Sequence, residues 1–234
     1  MPQPKADTKP LASEDARGKR LRAVLAILKR RWGVPDESGT GRVLDSLVLT
    51  ILSQNTNDTN RDRAYESLRE RFPTWGSVRD ARVQSIAAAI RVGGLANQKA
   101  RNIKNLLRWA EEEYGSLDME FMRDWPSDAI RETLLPLPGV GVKTVSVLLC
   151  FTLGRDVFPI DTHVSRVCRR LGLVSWKTSI ERAHEMMQDI VPKGRSFEAH
   201  LQLIRFGREI CHARKPECAV CPIIRHCQYP EPPE

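Results

Sequence analysis

The sequence lacks any apolar run approaching the roughly 20 residues that a membrane-spanning helix requires. It also lacks an apolar segment after the lysines near its N-terminus, which argues against a secretory signal peptide. We therefore expect an intracellular protein without a membrane partner. Cysteines are reduced in that environment, so they are better interpreted as metal ligands or packing residues than as disulfides.

Sustained strand alternation and internal repeats are absent as well, which predicts an all-α chain with short connections. Apolar residues instead recur with helical spacing. These stripes predict a helix from Ser13 onward and further helices over 44–52, 103–114, 130–134, 142–153, 162–171, 179–190 and 197–210. Residues 1–12 hold three prolines and almost nothing apolar, which predicts a disordered tail.

Basic residues outnumber acidic ones, giving a formal net charge of +8 and a pI of about 9.4. They are spread along the chain rather than gathered in one block. Such a charge favours a polyanionic partner, although a soluble basic protein without one is an equal alternative on charge alone.

The stretch LPGVGVKTVSVLLCFTLGRDVFPID, residues 137–161, is the most informative of the chain. Gly139 and Gly141 flank Val140, and we expect both to allow a tight turn and a close approach, since glycine has no steric penalty at positive φ. The helix that follows offers unpaired N–H groups and a positive dipole end, which suit a phosphate. Lys143 places a primary amine there. The pattern indicates chemistry on nucleic acid, whereas the octapeptide alone also fits a lysine that only contacts phosphate.

Asp161 ends this stretch and opens the sequence Asp-Thr-His-Val. On its own this pattern is typical of a helix N-cap. A cap and a catalytic function are compatible, because the cap would fix the position of the carboxylate. His163, two residues later, is interpreted as a packing residue.

Four of the six cysteines have the spacing C-x6-C-x2-C-x5-C: Cys211, Cys218, Cys221 and Cys227. Four thiolates at short range in an intracellular chain predict a metal or an iron–sulfur cluster. Structural zinc sites usually show two close CxxC-type pairs, and only one is present, so the spacing favours a [4Fe–4S] cluster over zinc. The other two, Cys150 and Cys168, lie in apolar helical stretches and are interpreted as packing residues.

Together, the hairpin LPGVGVKT, the spacing of Lys143 and Asp161, and the cysteine pattern resemble the endonuclease III family of helix–hairpin–helix DNA glycosylases. LSQNTND at 52–58, GLANQKARNI at 94–103 and the FGREIC that leads into Cys211 match as well. The resemblance extends from about residue 20 to the last cysteine. A PGVG hairpin alone occurs in many non-enzymatic DNA-binding proteins, but the combination is specific.

The resemblance implies two all-α lobes with a DNA cleft between them. One is a six-helix barrel, here residues 37–155, with the helix–hairpin–helix motif at about 127–154. The other is an iron–sulfur cluster domain formed by residues 13–36 and 156–234 together. The implied partner is double-stranded DNA with damaged bases or abasic sites, bound by a monomer. The lesion-bearing nucleotide would be flipped out, because its C1′ cannot be reached inside the stack.

The resemblance also implies roles for single residues. Lys143 would be the nucleophile that attacks C1′, displaces the base and forms a Schiff base, whose β-elimination nicks the strand. Asp161 would stabilise the cationic sugar as the base leaves. Gly139, Val140 and Gly141 would supply backbone N–H groups to a phosphate 3′ of the lesion, with a monovalent cation bridging hairpin carbonyls.

Two further positions correspond to side chains that enter the duplex in this family. Gln54 or Asn55 would fill the gap that the flipped base leaves. The family commonly has glutamine at the place of Asn55, so this chain departs from the pattern and either residue fits. Leu95 matches a wedge that props apart the opposite strand, although a core leucine after a glycine turn is an equal alternative.

The implied activity is that of a bifunctional DNA glycosylase and AP lyase of base excision repair, with oxidised pyrimidines as the family's default substrate. A monofunctional mismatch glycosylase (uracil/thymine or adenine) of the same superfamily is an alternative. Adenine-specific relatives generally lack a lysine at the position of Lys143 and carry a further domain after the cluster, whereas only seven residues follow Cys227. A non-catalytic DNA-binding iron–sulfur module is a third alternative, but it would not need the lysine–aspartate pair.

Overall fold

The computed structural model describes residues 11–35 and 41–229. Within these ranges the chain is all-α, as predicted, and no helix in them is long and apolar enough to cross a membrane. Except for Leu11 and Ala12, the tail predicted at 1–12 lies outside the described residues, as does the predicted boundary at 36–37. The α-helices are α1 (Glu14–Trp32), α2 (Val43–Leu52), α3 (Asp58–Arg71), α4 (Trp75–Asp80), α5 (Val83–Ala89), α6 (Ala96–Tyr114), α7 (Ser127–Leu134), α8 (Val142–Val147), α9 (Thr162–Arg170), α10 (Ile180–Ile190) and α11 (Ser196–Glu209).

The described residues divide into two compact units. Residues 11–35 and 156–229 form the first unit, which contains α1 and α9 to α11. Helix α1 begins after Ser13, whose hydroxyl accepts a hydrogen bond from a backbone N–H in the first turn, so the predicted helix start is confirmed. The core of this unit takes side chains from all four helices, among them Leu21, Val24, Val164, Val167, Met187, Leu203 and Phe206.

Residues 41–155 form the second unit, which contains α2 to α8. Seven of the ten residues of α2 are buried, and the helix ends at Leu52, as the apolar stripe predicts. Each fully buried leucine or isoleucine of such a helix contributes roughly 1.5–3 kcal/mol relative to exposure. The helix predicted over 142–153 is present as α8, followed by a π-helical turn at Leu148–Thr152.

The second unit also contains helices that the apolar pattern did not predict, between residues 58 and 89. Helix α3 is mostly polar and buries only Ala64 and Leu68, so it has no apolar stripe to detect. Its start is instead specified by the side chain of Asn57, and that of α4 by a capping box between Thr74 and Ser77. Caps of this kind act locally and carry no periodic signal.

Candidate functional site

The turn between α7 and α8, residues 135–141, is a tight hairpin that depends on one glycine. Gly139 has φ 82°, in the left-handed region that favours glycine. A Cβ at this position would lie 2.2 Å from Nδ2 of Asn102 on α6, closer than atoms can approach. Gly139 is therefore required both by its backbone conformation and by its packing.

Gly141 differs from the expectation, because its φ of −103° is open to any residue. It is the N-cap of α8, and a Cβ built there would meet no atom within 4 Å. The fold itself therefore does not require glycine at this position. The absence of a side chain at Gly141 leaves open space beside the hairpin.

Val140 anchors the hairpin between these glycines, since its side chain is only 4% exposed. Its N–H donates to the carbonyl of Leu137 at 3.0 Å. The contact of this N–H with a phosphate stays a prediction, and in the structure the group has an internal acceptor. Lys143 follows in the first turn of α8 and is half-buried.

The loop after α2 distinguishes the two candidates at 54 and 55. Nε2 of Gln54 donates to the carbonyl of Gly139 at 2.9 Å, so this side chain ties the loop to the hairpin. Asn55 is exposed and has φ 50°. Asparagine tolerates this left-handed conformation better than most residues.

Leu95 lies between Gly94 and the first turn of α6. Its φ is 48°, and its side chain is 50% exposed. The alternative that Leu95 is a core residue is therefore wrong. A leucine held exposed in the left-handed region pays a backbone cost of roughly 1–2 kcal/mol, which packing does not offset here.

In the first unit, Asp161 is the N-cap of α9, and its Oδ1 accepts from the Val164 N–H at 2.7 Å. The predicted cap is therefore confirmed, and the carboxylate is half-buried in one orientation. His163 follows on α9, and burial lowers its pKa. Nδ1 of His163 lies 3.2 Å from the guanidinium of Arg166.

Two histidines hold the backbone that leads into Asp161. The N–H of Ile160 donates to Nε2 of His184 at 3.0 Å, so this ring nitrogen must be the unprotonated one. Nδ1 of His200 donates to the carbonyl of Pro159 at 2.9 Å. These bonds come from α10 and α11 and fix the approach of the chain to the cap.

All four predicted cysteine ligands line one pocket, which opens to solvent. Within the described residues, no three His, Cys, Asp or Glu side chains are placed to hold a single metal ion. Burial raises the pKa of Cys221 to about 11. Cys168 is not part of this pocket, and burial raises its pKa to about 12, as expected for an inert packing thiol.

Comparison with known proteins shows the family to which this chain belongs. Residues 48–193, more than half of the chain, match the HhH-GPD superfamily of base excision DNA repair proteins. The chain belongs to this superfamily. Endonuclease III of Bacillus subtilis is 33% identical over 182 residues, which cover 78% of this chain and 79% of that protein. For endonuclease III of Rickettsia felis the identity is 36% over 183 residues, with 78% and 81% covered.

Longer plant relatives also match this HhH-GPD chain, but it spans only 9–12% of their length. Two solved endonuclease III–DNA structures, a non-covalent complex and a trapped covalent intermediate, share the fold with a TM-score of 0.78. Their identity is 28%, over 90% of this chain and 95% of theirs. Sequence and fold together confirm the predicted family, that of endonuclease III-like DNA glycosylases of base excision repair.

The HhH-GPD chain also holds a residue at the cysteine pocket that the sequence did not single out. Arg170 is buried, and its Nη1 lies 3.1 Å from Sγ of Cys211 and 2.7 Å from the carbonyl of His212. Its guanidinium stacks over the ring of Tyr229 at 4.4 Å. One arginine of α9 thus contacts both ends of the cysteine segment. A basic residue in a helix that is itself rich in arginine gives no distinguishing sequence signal.

Proposed function

We propose that this protein is a bifunctional DNA glycosylase and AP lyase, which removes damaged pyrimidines, chiefly oxidised ones, and nicks the resulting abasic site. The observation that carries the proposal is the position of Lys143, in the first turn of α8 directly after the Gly139–Gly141 hairpin. An amine at the end of a backbone turn that leaves open space beside it suits a nucleophile next to a DNA strand. A trapped covalent intermediate with DNA is known for the structurally similar endonuclease III.

In the proposed reaction, Nζ of Lys143 attacks C1′ of the flipped nucleotide as the bond from C1′ to the base breaks. The base leaves with the electrons of that bond and takes up a proton. The C1′–O4′ bond then breaks, O4′ takes up a proton, and the lone pair of the lysine nitrogen forms the C=N bond of the Schiff base. Loss of a C2′ proton then breaks the C3′–O3′ bond and expels the 3′ phosphate by β-elimination. An ammonium has no electron pair to donate, so Lys143 must lose its proton before it attacks.

Asp161 provides negative charge for the sugar, which becomes cationic as the base departs. Its Oδ1 accepts the Val164 N–H, which holds the carboxylate in one orientation and leaves Oδ2 for the substrate. The cap and the catalytic function therefore support each other, because a carboxylate that needs no reorganisation stabilises charge more effectively.

DNA is held, in this proposal, by the hairpin and by two loops of the same unit. The N–H groups of Gly139 and Gly141 serve a phosphate, and the open side of Gly141 lets the strand approach. Asn55 enters the gap left by the flipped nucleotide, because it is exposed while Gln54 is bonded to the hairpin. Leu95 enters the opposite strand, which gives a reason for an exposed apolar side chain in a strained conformation.

Cys211, Cys218, Cys221 and Cys227 would hold a [4Fe–4S] cluster, and the chemistry of the donor set fits, since four sulfurs line one pocket. The raised pKa of Cys221 means that binding must displace protons, as it does for thiolate ligands generally. The cluster would supply structural order to residues 211–227, because four protein ligands leave no open position. No step of base removal is assigned to it.

Borohydride trapping on abasic-site duplex DNA tests the proposal. The wild-type protein is expected to give a covalent adduct, which Lys143→Gln loses because an amide cannot form a Schiff base. A protein that removes bases without giving an adduct would instead be monofunctional, and one that only binds DNA would be a non-catalytic module. A panel of duplexes with single lesions, including mispaired uracil and thymine, then identifies the preferred base.

A further inference from the structure

Lys99 on α6 is a buried amine that the proposed chemistry does not use. Its side chain is only 1% exposed, and Nζ donates to the carbonyls of Leu52 at 2.6 Å and Gly93 at 2.7 Å. Burial lowers its pKa to about 8. A neutral amine keeps two N–H groups, so both bonds persist whether or not the amine is charged.

The two carbonyls belong to the starts of the two loops proposed to enter DNA. Leu52 is the last residue of α2, directly before the loop that carries Asn55. Gly93 ends a 3₁₀ turn, two residues before Leu95. The backbone N–H of Lys99 donates to the carbonyl of Leu95 at 3.0 Å, so Lys99 contacts the second loop twice.

Backbone strain is concentrated at the same two loops. Among the described residues, three non-glycine residues have positive φ, and two of them are Asn55 (50°) and Leu95 (48°). Strained conformations of this kind persist only where the surroundings fix them. The amine of Lys99 is one such constraint, since without it two carbonyls would be left buried and unpaired.

We propose that Lys99 is a positioning residue that links the Asn55 and Leu95 loops, so that both side chains can enter one DNA duplex together. This rests on the proposed function, in which these side chains separate the strands. Lys99 touches neither substrate nor reacting atoms, and acts through the two loops.

A matched control lies five residues further along α6. Lys104 is also buried, its Nζ also donates to a backbone carbonyl, that of Ala81, and burial lowers its pKa as well. Ala81 lies between α4 and α5 and belongs to neither loop. Lys99→Met and Lys104→Met each keep the aliphatic stem and remove one amine, so a general loss of stability would affect both.

The experiment measures strand separation without requiring catalysis. The full-length protein binds a duplex that contains a stable abasic-site analogue, with 2-aminopurine as the opposite base, whose fluorescence rises when it is unstacked. We expect Lys99→Met to reduce affinity and the fluorescence rise by about tenfold, because two buried carbonyls lose their donor and the two loops lose this constraint. Lys104→Met is expected to stay close to wild type, at temperatures where both variants are folded.

The loss of affinity and fluorescence caused by Lys99→Met must also disappear when the side chains of Asn55 and Leu95 are removed. In an Asn55→Ala/Leu95→Ala background, Lys99→Met is expected to cause no further loss, since Lys99 acts through these residues. An effect of Lys99→Met that persists in this background, or an equal effect of Lys104→Met, would show a merely structural role and overturn the inference. If Lys99→Met does not fold, Lys99→Gln is measured with the same expectations, because its amide nitrogen is one atom nearer the backbone than Nζ and the side chain is too short to bond both carbonyls.

The outcome is independent of that of the trapping experiment. A wild-type protein that unstacks 2-aminopurine but forms no borohydride adduct contradicts the lyase and leaves the inference on Lys99 testable. A wild-type protein that forms the adduct but produces no fluorescence rise contradicts the inference alone.

Discussion

Residues 41–155 present their candidate residues on turns, where the backbone conformation itself is unusual. Gly139, Asn55 and Leu95 all have positive φ, and the last two are exposed. In residues 156–229 the candidate residues are instead fixed by side-chain hydrogen bonds. Asp161 caps α9, and Arg170 contacts Cys211. We infer that the exposed candidate residues of the first region depend on their backbone conformation and on open space, whereas those of the second depend on hydrogen bonds of their own side chains. Substitutions in the two regions should therefore fail in different ways.

The largest effect is expected at the cysteine pocket. Cys221→Ser removes one of four ligands, and we expect it to lose the visible iron–sulfur absorbance and about 4 kcal/mol or more of unfolding free energy. The matched control, Cys168→Ala, removes a buried thiol of the same unit that does not line the pocket. It is expected to keep the absorbance and to cost about 1 kcal/mol. Stoichiometric zinc without iron in the wild-type protein would contradict the assignment.

The next effect separates the two functions of Asp161. Asp161→Asn keeps an oxygen for the Val164 N–H, so stability is expected to change by less than about 0.5 kcal/mol. Base removal is expected to fall about 100-fold, because the charge near the sugar is lost. Asp161→Ala also loses the cap, and is expected to cost about 1 kcal/mol of stability in addition. Single-turnover excision and thermal unfolding check both. Full activity of Asp161→Asn would reduce this residue to a helix cap.

A smaller effect is expected at the hairpin, where two glycines make a matched pair. Gly139→Ala introduces a Cβ at φ 82° against Asn102, and is expected to cost about 1–3 kcal/mol of stability. Gly141→Ala meets no atom, so its stability is expected to change by less than about 1 kcal/mol. Its DNA affinity is nevertheless expected to fall about tenfold, because the new methyl group blocks the approach of the strand.

Thermal unfolding and DNA binding of both glycine variants decide whether this distinction holds. Equal loss of stability in the two variants would contradict the assignment of different functions to Gly139 and Gly141. Unchanged DNA affinity in Gly141→Ala would show that no strand approaches there.

These contrasts also explain what the sequence could predict. Apolar stripes locate α1, α2 and α6 because these helices bury one face continuously, and the cap at Asp161 follows from local chemistry. The polar helix α3 escapes detection, since tertiary contacts rather than periodicity specify it. The prediction of a positive φ for Gly141 is wrong, because the sequence does not show whether a glycine is needed for its backbone conformation or for its missing side chain.

Polar contacts between residues far apart in the chain are a second feature that the sequence does not predict. Lys99 and Arg170 find their acceptors 47 and 41 residues away, in Leu52 and Cys211. In sequence, both are ordinary basic residues on amphipathic helices. Only packing of the fold shows that each is buried and bonded to backbone or sulfur.

The central claim is that the residue after the hairpin performs the chemistry. Its most direct test is to reduce the complex with abasic-site DNA by borohydride, digest it, and map the modified peptide by mass spectrometry. The account predicts a single adduct on Lys143, absent from Lys143→Gln and still formed by Lys99→Met on single-stranded abasic DNA. An adduct on another lysine, or none in a protein that still cuts DNA, would contradict it.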